Sequence, residues 1–256
     1  MTRLRQGRNV LLWLGRHELG VVLSVFGLAG GLWVFVEVAD EVMEGETRAL
    51  DRLLLLALRD PKDSSDPLGP PWVEELGRDL TALGGIGLLS LLSVAVITHL
   101  ALRRKPKSAA FVAAAVSGAL ALSLALKGLF GRPRPDLVPQ LSHIGTSSFP
   151  SGHSMVSAAV YLTLGALLAR FESSVLLKVH VLGWSLLLTV LVGLSRIYLG
   201  VHWPSDVLAG WAAGGAWSSL CWLIARSLQR RGHVESEASL QLQQVGLKMP
   251  AAPPPF

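Results

Sequence analysis

Phe149-Pro150-Ser151-Gly152-His153 stands at the head of an apolar run that reads as a helix from about Ser154. A helix start presents unpaired backbone N–H groups and the positive end of the macrodipole, and so readily holds an oxyanion. Gly152 lets the backbone approach such an anion closely, and His153 is suited to move a proton near neutral pH. A serine-glycine-histidine turn alone is a weak signal. Its meaning depends on what the rest of the chain brings to it.

The chain has 256 residues, of which 51% are hydrophobic and only 16% charged, with a mean hydropathy of +0.48. The apolar residues come in blocks, several approaching the roughly 20 residues that cross a bilayer core. The expected fold class is all-α: one polytopic membrane protein with six transmembrane helices. The pI near 9.8 does not indicate nucleic acid, because the basic residues cluster at the ends of apolar blocks. The single cysteine, Cys221, excludes an intramolecular disulfide and a thiolate zinc cluster.

Outward from the opening stretch, residues 1–18 form a basic terminus ahead of the run Leu19–Val36. That run is long for a signal peptide and lacks a clean cleavage site, so it reads as a retained first span. Residues 40–80 hold eleven acidic and five basic side chains. Within them, Thr47–Arg59 places Leu50, Leu53, Leu54 and Leu58 on one stripe, with Asp51, Arg52 and Arg59 largely off it. This predicts a short interfacial helix in the first outer loop. Further spans are expected at about 81–102, 108–130, 154–170, 178–197 and 204–226. The membrane domain thus covers 19–228, and 229–256 reads as a disordered cytoplasmic tail ending Pro-Pro-Pro-Phe.

Six spans put both termini on one side. That side carries fourteen Lys/Arg against nine, and four of the nine are Lys127, Arg132, Arg134 and Arg196 at the ends of spans. The excess predicts cytoplasmic termini in a multi-pass protein of the cell (inner) membrane. Alternation then sends the end of the third span, the start of the fourth, the end of the fifth and the start of the sixth to the periplasmic or extracellular face. The unusual polar residues occur at those four ends. Lys127 closes the third, with Arg132 and Arg134 beyond it, and Ser151, Gly152 and His153 open the fourth. Ser195 and Arg196 close the fifth, and His202, Pro204 and Asp206 open the sixth. Ionisable groups at such depth are costly unless paired or functional. Cations and two histidines converging on one face suit a multiply charged oxyanion.

These residues fall into three groups. They are Lys127-(six residues)-Arg134-Pro135, Pro150-Ser151-Gly152-His153, and Ser195-Arg196-(five residues)-His202-(three residues)-Asp206. In kind, spacing and order they resemble the three-part signature of the type 2 phosphatidic acid phosphatases, and the likeness extends over about 20–228.

The resemblance implies a membrane phosphatase acting on a lipid phosphate or diphosphate, of the phosphatidate, phosphatidylglycerol phosphate or undecaprenyl diphosphate class. It implies His202 as nucleophile, Asp206 as its partner and His153 as acid and then base. Lys127, Arg134, Ser151, Gly152 and Arg196 would bind the phosphate. With such a cage no metal and no cofactor is expected. The partners expected are the lipid substrate and membrane lipids. Two competing readings are a vanadium-dependent haloperoxidase, disfavoured by six apolar spans, and a non-catalytic lipid-binding protein, disfavoured by the two histidines.

The residues around the signature carry less. Arg132 either touches a head group or is solvated. Ser147 and Ser148 support the turn, and His143, in the outer loop, reads as a plain loop histidine rather than one lining the entrance. His17, His99, His180 and His233 read as interfacial. The runs Ala113–Ala119 and Gly214-Gly215 suit close helix packing.

Overall fold

The computed structural model describes residues 2–137 and 147–231, with side chains from residue 19 onward. His143, His17, His233 and the tail expectation from 232 lie outside the described side chains. Eight helices run in order: α1 (Thr2–Glu44), α2 (Arg48–Leu56), α3 (Pro71–Ala82), α4 (Ile86–Leu102), α5 (Pro106–Leu129), α6 (Gly152–Phe171), α7 (Val175–Tyr198) and α8 (Pro204–Arg230). No strand occurs among the described residues. Pro71, Pro106 and Pro204 open their helices, where a missing N–H costs nothing and the fixed φ suits the first turn.

Five helical stretches are long and apolar enough to span a bilayer: Leu19–Glu44 of α1, α5, α6, α7 and α8. The sixth is the α3–α4 pair, bent by 46°. The expected second span, 81–102, is therefore broken near its start. The break exposes backbone at Leu83, and the Tyr161 hydroxyl donates to that carbonyl at 2.7 Å, supplying the partner that the helix withdraws.

α2 is the expected interfacial helix, shorter than 47–59. Of its leucine stripe, Leu50, Leu53 and Leu54 are exposed as expected, whereas Leu58 falls beyond the end of α2 and packs against the buried Leu55, Ile197 and Val207. The opposite face is not a solvent face, because Asp51 and Leu55 are buried against the protein. Asp51 lies beside the start of α8.

α6 is the centre of the bundle. It packs along both α7 and α8, with α5 on a third side, while α1 lies along α8. Its buried face is built from small residues, including Ser154, Ser157, Ala158 and Ala159. Gly210 and Gly214, one turn apart on α8, press against the opening turns of α6. A Cβ at Gly210 would lie 2.7 Å from the Ser151 carbonyl oxygen, and one at Gly214 would overlap that of Met155. Without a hydrophobic force between helices in lipid, such close backbone approach is a main source of association. It also brings the start of α8 onto the start of α6. Gly214 packs as expected, but Gly215 meets nothing within 4 Å. On α5, Ala115 and Ala119 are buried, and the Ala115 carbonyl accepts from Trp217 Nε1 at 2.9 Å.

Candidate active site

The end of α5, the start of α6, the end of α7 and the start of α8 meet at one end of the bundle. The Ser151 N–H donates to the Asp206 carbonyl at 2.9 Å, joining the opening turns of α6 and α8. After α7 the chain reverses through Gly200, whose φ of +71° is the left-handed region that glycine enters without strain. That reversal points His202 inward, where it is 1% exposed.

The His202 ring is held at both nitrogens. Nδ1 lies 3.3 Å from Asp206 Oδ2, and Nε2 lies 3.3 Å from an Arg134 terminal nitrogen. A carboxylate only accepts and a guanidinium only donates. The proton is therefore assigned to Nδ1, leaving a lone pair on Nε2. Burial lowers the His202 pKa from 6.5 to about 4 against the opposing pull of Asp206, so the ring is neutral over the physiological range. Arg134 is steadied by donating to the Val201 carbonyl at 2.7 Å.

Asp206 is the third residue of α8 and is fully buried. Its Oδ2 also accepts from the Trp203 N–H at 2.9 Å and from the Ser148 hydroxyl. Its Oδ1 accepts from Arg132 at 2.6 Å. The same guanidinium donates to Asp51 Oδ2 at 2.7 Å, to Thr47 Oγ1 at 3.2 Å and to Ser205 Oγ at 2.8 Å. Asp51 in turn accepts from the Ser205 N–H at 2.9 Å and hydroxyl at 2.6 Å.

Arg132 is thus not a solvated loop charge. Its side chain is 11% exposed and sits between two carboxylates. Ser148 holds the catalytic-side carboxylate as well as its turn. Asp51, Thr47 and Ser205 were not foreseen. The one signal for Asp51 in the chain is a carboxylate off the apolar stripe of a membrane-surface helix, which reads equally well as a solvated charge.

The remaining cations gather close to the same two side chains, Arg196 near His202 and Lys127 near Asp206. Lys127 Nζ donates to the Ser147 carbonyl at 2.8 Å, and its stem passes beside Gly152, where a Cβ would meet Lys127 Cε at 3.1 Å. Arg196 is 2% exposed and donates to Thr81 Oγ1 at 2.8 Å. Its Nε and its other terminal nitrogen are buried without a protein partner among the described residues. Buried donors of this kind are costly unless an acceptor meets them, and a bound oxyanion would supply it. His153 is partly exposed in the first turn of α6, near enough to Arg196, Lys127 and Arg134 for their charges to act on it.

Ser151 is the buried N-cap of α6. Its oxygen accepts from the Ser154 N–H at 3.4 Å and hydroxyl at 2.9 Å, which leaves its own hydrogen to donate. Among the described residues no three His, Cys, Asp or Glu side chains gather as a metal-binding group. The structure therefore brings Lys127, Arg134, Ser151, Gly152, His153, Arg196, His202 and Asp206 to one end of the bundle, with the Thr47–Asp51–Arg132–Ser205 network behind Asp206. The Ser195 hydroxyl donates instead to the Val192 carbonyl of its own helix at 2.7 Å.

Comparison with known proteins agrees with this geometry. The PAP2 superfamily profile matches residues 106–230. The chain is 35% identical over 147 residues to phosphatidylglycerophosphatase B of Bacillus subtilis, covering 56% of this chain and 71% of that protein. It is 29% identical over 165 residues to the decaprenylphosphoryl-5-phosphoribose phosphatase of Mycobacterium tuberculosis, covering 62% and 86%. The fold superposes with a TM-score of 0.71 on the crystal structure of a transmembrane PAP2 type phosphatidylglycerolphosphate phosphatase from Bacillus subtilis. That match covers 80% of this chain and 98% of the other at 28% identity. A helical bundle carrying all three signature groups at one end, with relatives of this likeness, belongs to the PAP2 superfamily.

Proposed function

We propose that this membrane lipid phosphatase works through a phosphohistidine on His202. The Nε2 lone pair attacks phosphorus, and the bond from phosphorus to the leaving oxygen breaks as His153 gives that oxygen a proton. The Nδ1 proton stays on the ring, donated in a hydrogen bond to the Asp206 carboxylate, which stabilises the positive ring that results. Water then attacks phosphorus while His153 takes its proton, and the Nε2–P bond breaks to release phosphate. Lys127, Arg134, Arg196, the Ser151 hydroxyl and the Gly152 N–H carry the equatorial oxygens. Arg134 leaves Nε2 for one of those oxygens as the phosphoryl group arrives. Phosphoryl transfer needs chiefly positioning and charge, which the three cations supply without a metal.

The observation that carries this reading is the buried Arg196, with two nitrogens unpartnered among the described residues, close to the His202 ring that presents a lone pair. The substrate class is a lipid phosphate monoester or diphosphate, supported by the relatives' activities and the apolar spans. Phosphate release from purified protein, assayed on a panel of lipid phosphates with a chelator present, tests both points. Turnover should persist; loss on chelation, restored by Mg²⁺, overturns the metal-free cage.

The site is proposed to open to the periplasm or cell exterior, with both termini in the cytoplasm. The support is the excess of Lys/Arg at the other ends of the spans. Asp136 is exposed beside the site, and the native Cys221 is buried. An Asp136→Cys variant should react with an impermeant maleimide in intact cells whose outer membrane, if present, is permeabilised. Labelling only after lysis reverses the orientation.

A further inference from the structure

A cavity lies at the other end of the bundle. About 1240 Å³ opens between α4, α6 and α7, which part there: α6 packs along α7 and touches α4 only lightly. Its walls are apolar, with Leu92, Leu164 and Leu188 contributed by the three helices. Its rim holds His99, Arg103, Arg104, Lys105 and His180, and among the described residues no carboxylate lines it. Along α6 it runs from Tyr161 to Phe171, about 15 Å at ~1.5 Å per residue, half of a bilayer core of ~30 Å. The packed cluster Leu89, Val156, Val160 and Val192 lies between it and the catalytic residues along those same helices. The groove is therefore one leaflet deep and separate from the site.

The rim has a second unusual feature. Arg104 adopts φ +56°, the conformation that favours glycine, in the turn closed by the Lys105 N–H donating to the Leu100 carbonyl at 2.9 Å. A guanidinium stands at a backbone position that glycine would occupy with less strain. Lys105 Nζ lies 5.2 Å over the Phe171 ring, and so the rim charge is held at the mouth of the apolar channel. We propose that this groove binds an anionic phospholipid of the leaflet opposite the catalytic end. One acyl chain lies along Leu92, Leu164 and Leu188, and the phosphodiester rests on Arg103 and Arg104. A basic rim over a channel of one-leaflet depth complements that occupant in charge and in length.

The test uses the purified, delipidated full chain in detergent, with labelled dioleoylphosphatidylglycerol and dioleoylphosphatidylcholine as probes. The first should be retained in preference to the second. Replacing both Arg103 and Arg104 by Gln should cut that preference about tenfold or more, at ~1 kcal/mol per basic residue near a lipid surface. Replacing both by Lys should restore it. Ala95 is an exposed part of the lining, so Ala95→Trp fills the channel and should reduce retention of both lipids. Arg134→Ala, at the catalytic end, should leave retention unchanged. Wild-type turnover of a small soluble phosphate ester by the Gln and Trp variants confirms their fold. Equal retention of the two lipids, or displacement by millimolar inorganic phosphate, overturns the proposal. So does loss on Arg134→Ala with none on the double Gln variant, which would place the lipid in the catalytic site.

Discussion

Arg132 ties Asp51 to Asp206: one terminal nitrogen lies 2.7 Å from the first carboxylate and the other 2.6 Å from the second. The interfacial helix α2 is thereby connected, through one guanidinium, to the carboxylate that orients the His202 ring. A buried charge flanked in this way is costly when one partner is lost, because the others are left uncompensated. Asp51 touches none of the proposed phosphate-binding groups, so its effect on activity passes through Arg132 and Ser205.

Asp51→Ala and Arg132→Ala should each lower kcat, with KM changed less, and their losses should not add. In the double variant the coupling should reach about 1 kcal/mol or more, as expected for residues in one network. Steady-state kinetics on the four proteins checks this. Additive losses would show that α2 does not act on the site through this pair.

The two histidines should fail in different ways. His202→Ala removes the nucleophile, so turnover should fall ~10³-fold or more and no phosphoenzyme should form. His153→Ala removes the acid and the later base. With a p-nitrophenolate leaving group the first step needs little protonation, while hydrolysis stays slow. This variant should accumulate an acid-labile, base-stable phosphohistidine on His202 after rapid quench. Label on His153, or in the His202→Ala protein, reverses the assignments.

Burial sets the acid limit of the first step. The His202 pKa is lowered from 6.5 to about 4, so the lone pair on Nε2 persists as the pH falls through 6.5 and is lost only when the ring protonates near 4. The burst of p-nitrophenolate should therefore stay flat from about pH 7 to about pH 5 and be half lost near 4. A half-loss near 6.5 would mean that the ring is solvated during attack.

Orthovanadate should inhibit competitively, because its trigonal-bipyramidal form places oxygens where Lys127, Arg134 and Arg196 would hold those of the transition state. Arg196→Lys should weaken that inhibition by about tenfold or more, since a point charge cannot reproduce the planar donor fork. Indifference of the wild-type protein to millimolar vanadate would refute the cage.

Much of this was already determined along the chain. Apolar blocks of bilayer length define the spans, since a lipid core admits only segments that satisfy their own backbone groups. Strict alternation of direction then sends Lys127, His153, Arg196 and His202 to one end whatever the packing details. Asp206 follows His202 by four residues, which in the opening turn of a helix brings the two side chains together. Those relationships are local or topological, so sequence spacing carries them.

The tertiary structure decided what depends on contact between distant segments. Arg132 and Asp51 are 81 residues apart, and no periodicity links a loop arginine to the polar face of a surface helix. The same holds for Thr81, which receives Arg196 from 115 residues away. So too for the bend between α3 and α4, where the Leu83 carbonyl accepts from Tyr161, 78 residues away. Hydropathy reports whether a segment lies in lipid; it does not report which of its faces meets protein. For that reason the position of the spans was legible in advance, while the network behind His202 and the groove at the opposite end were not.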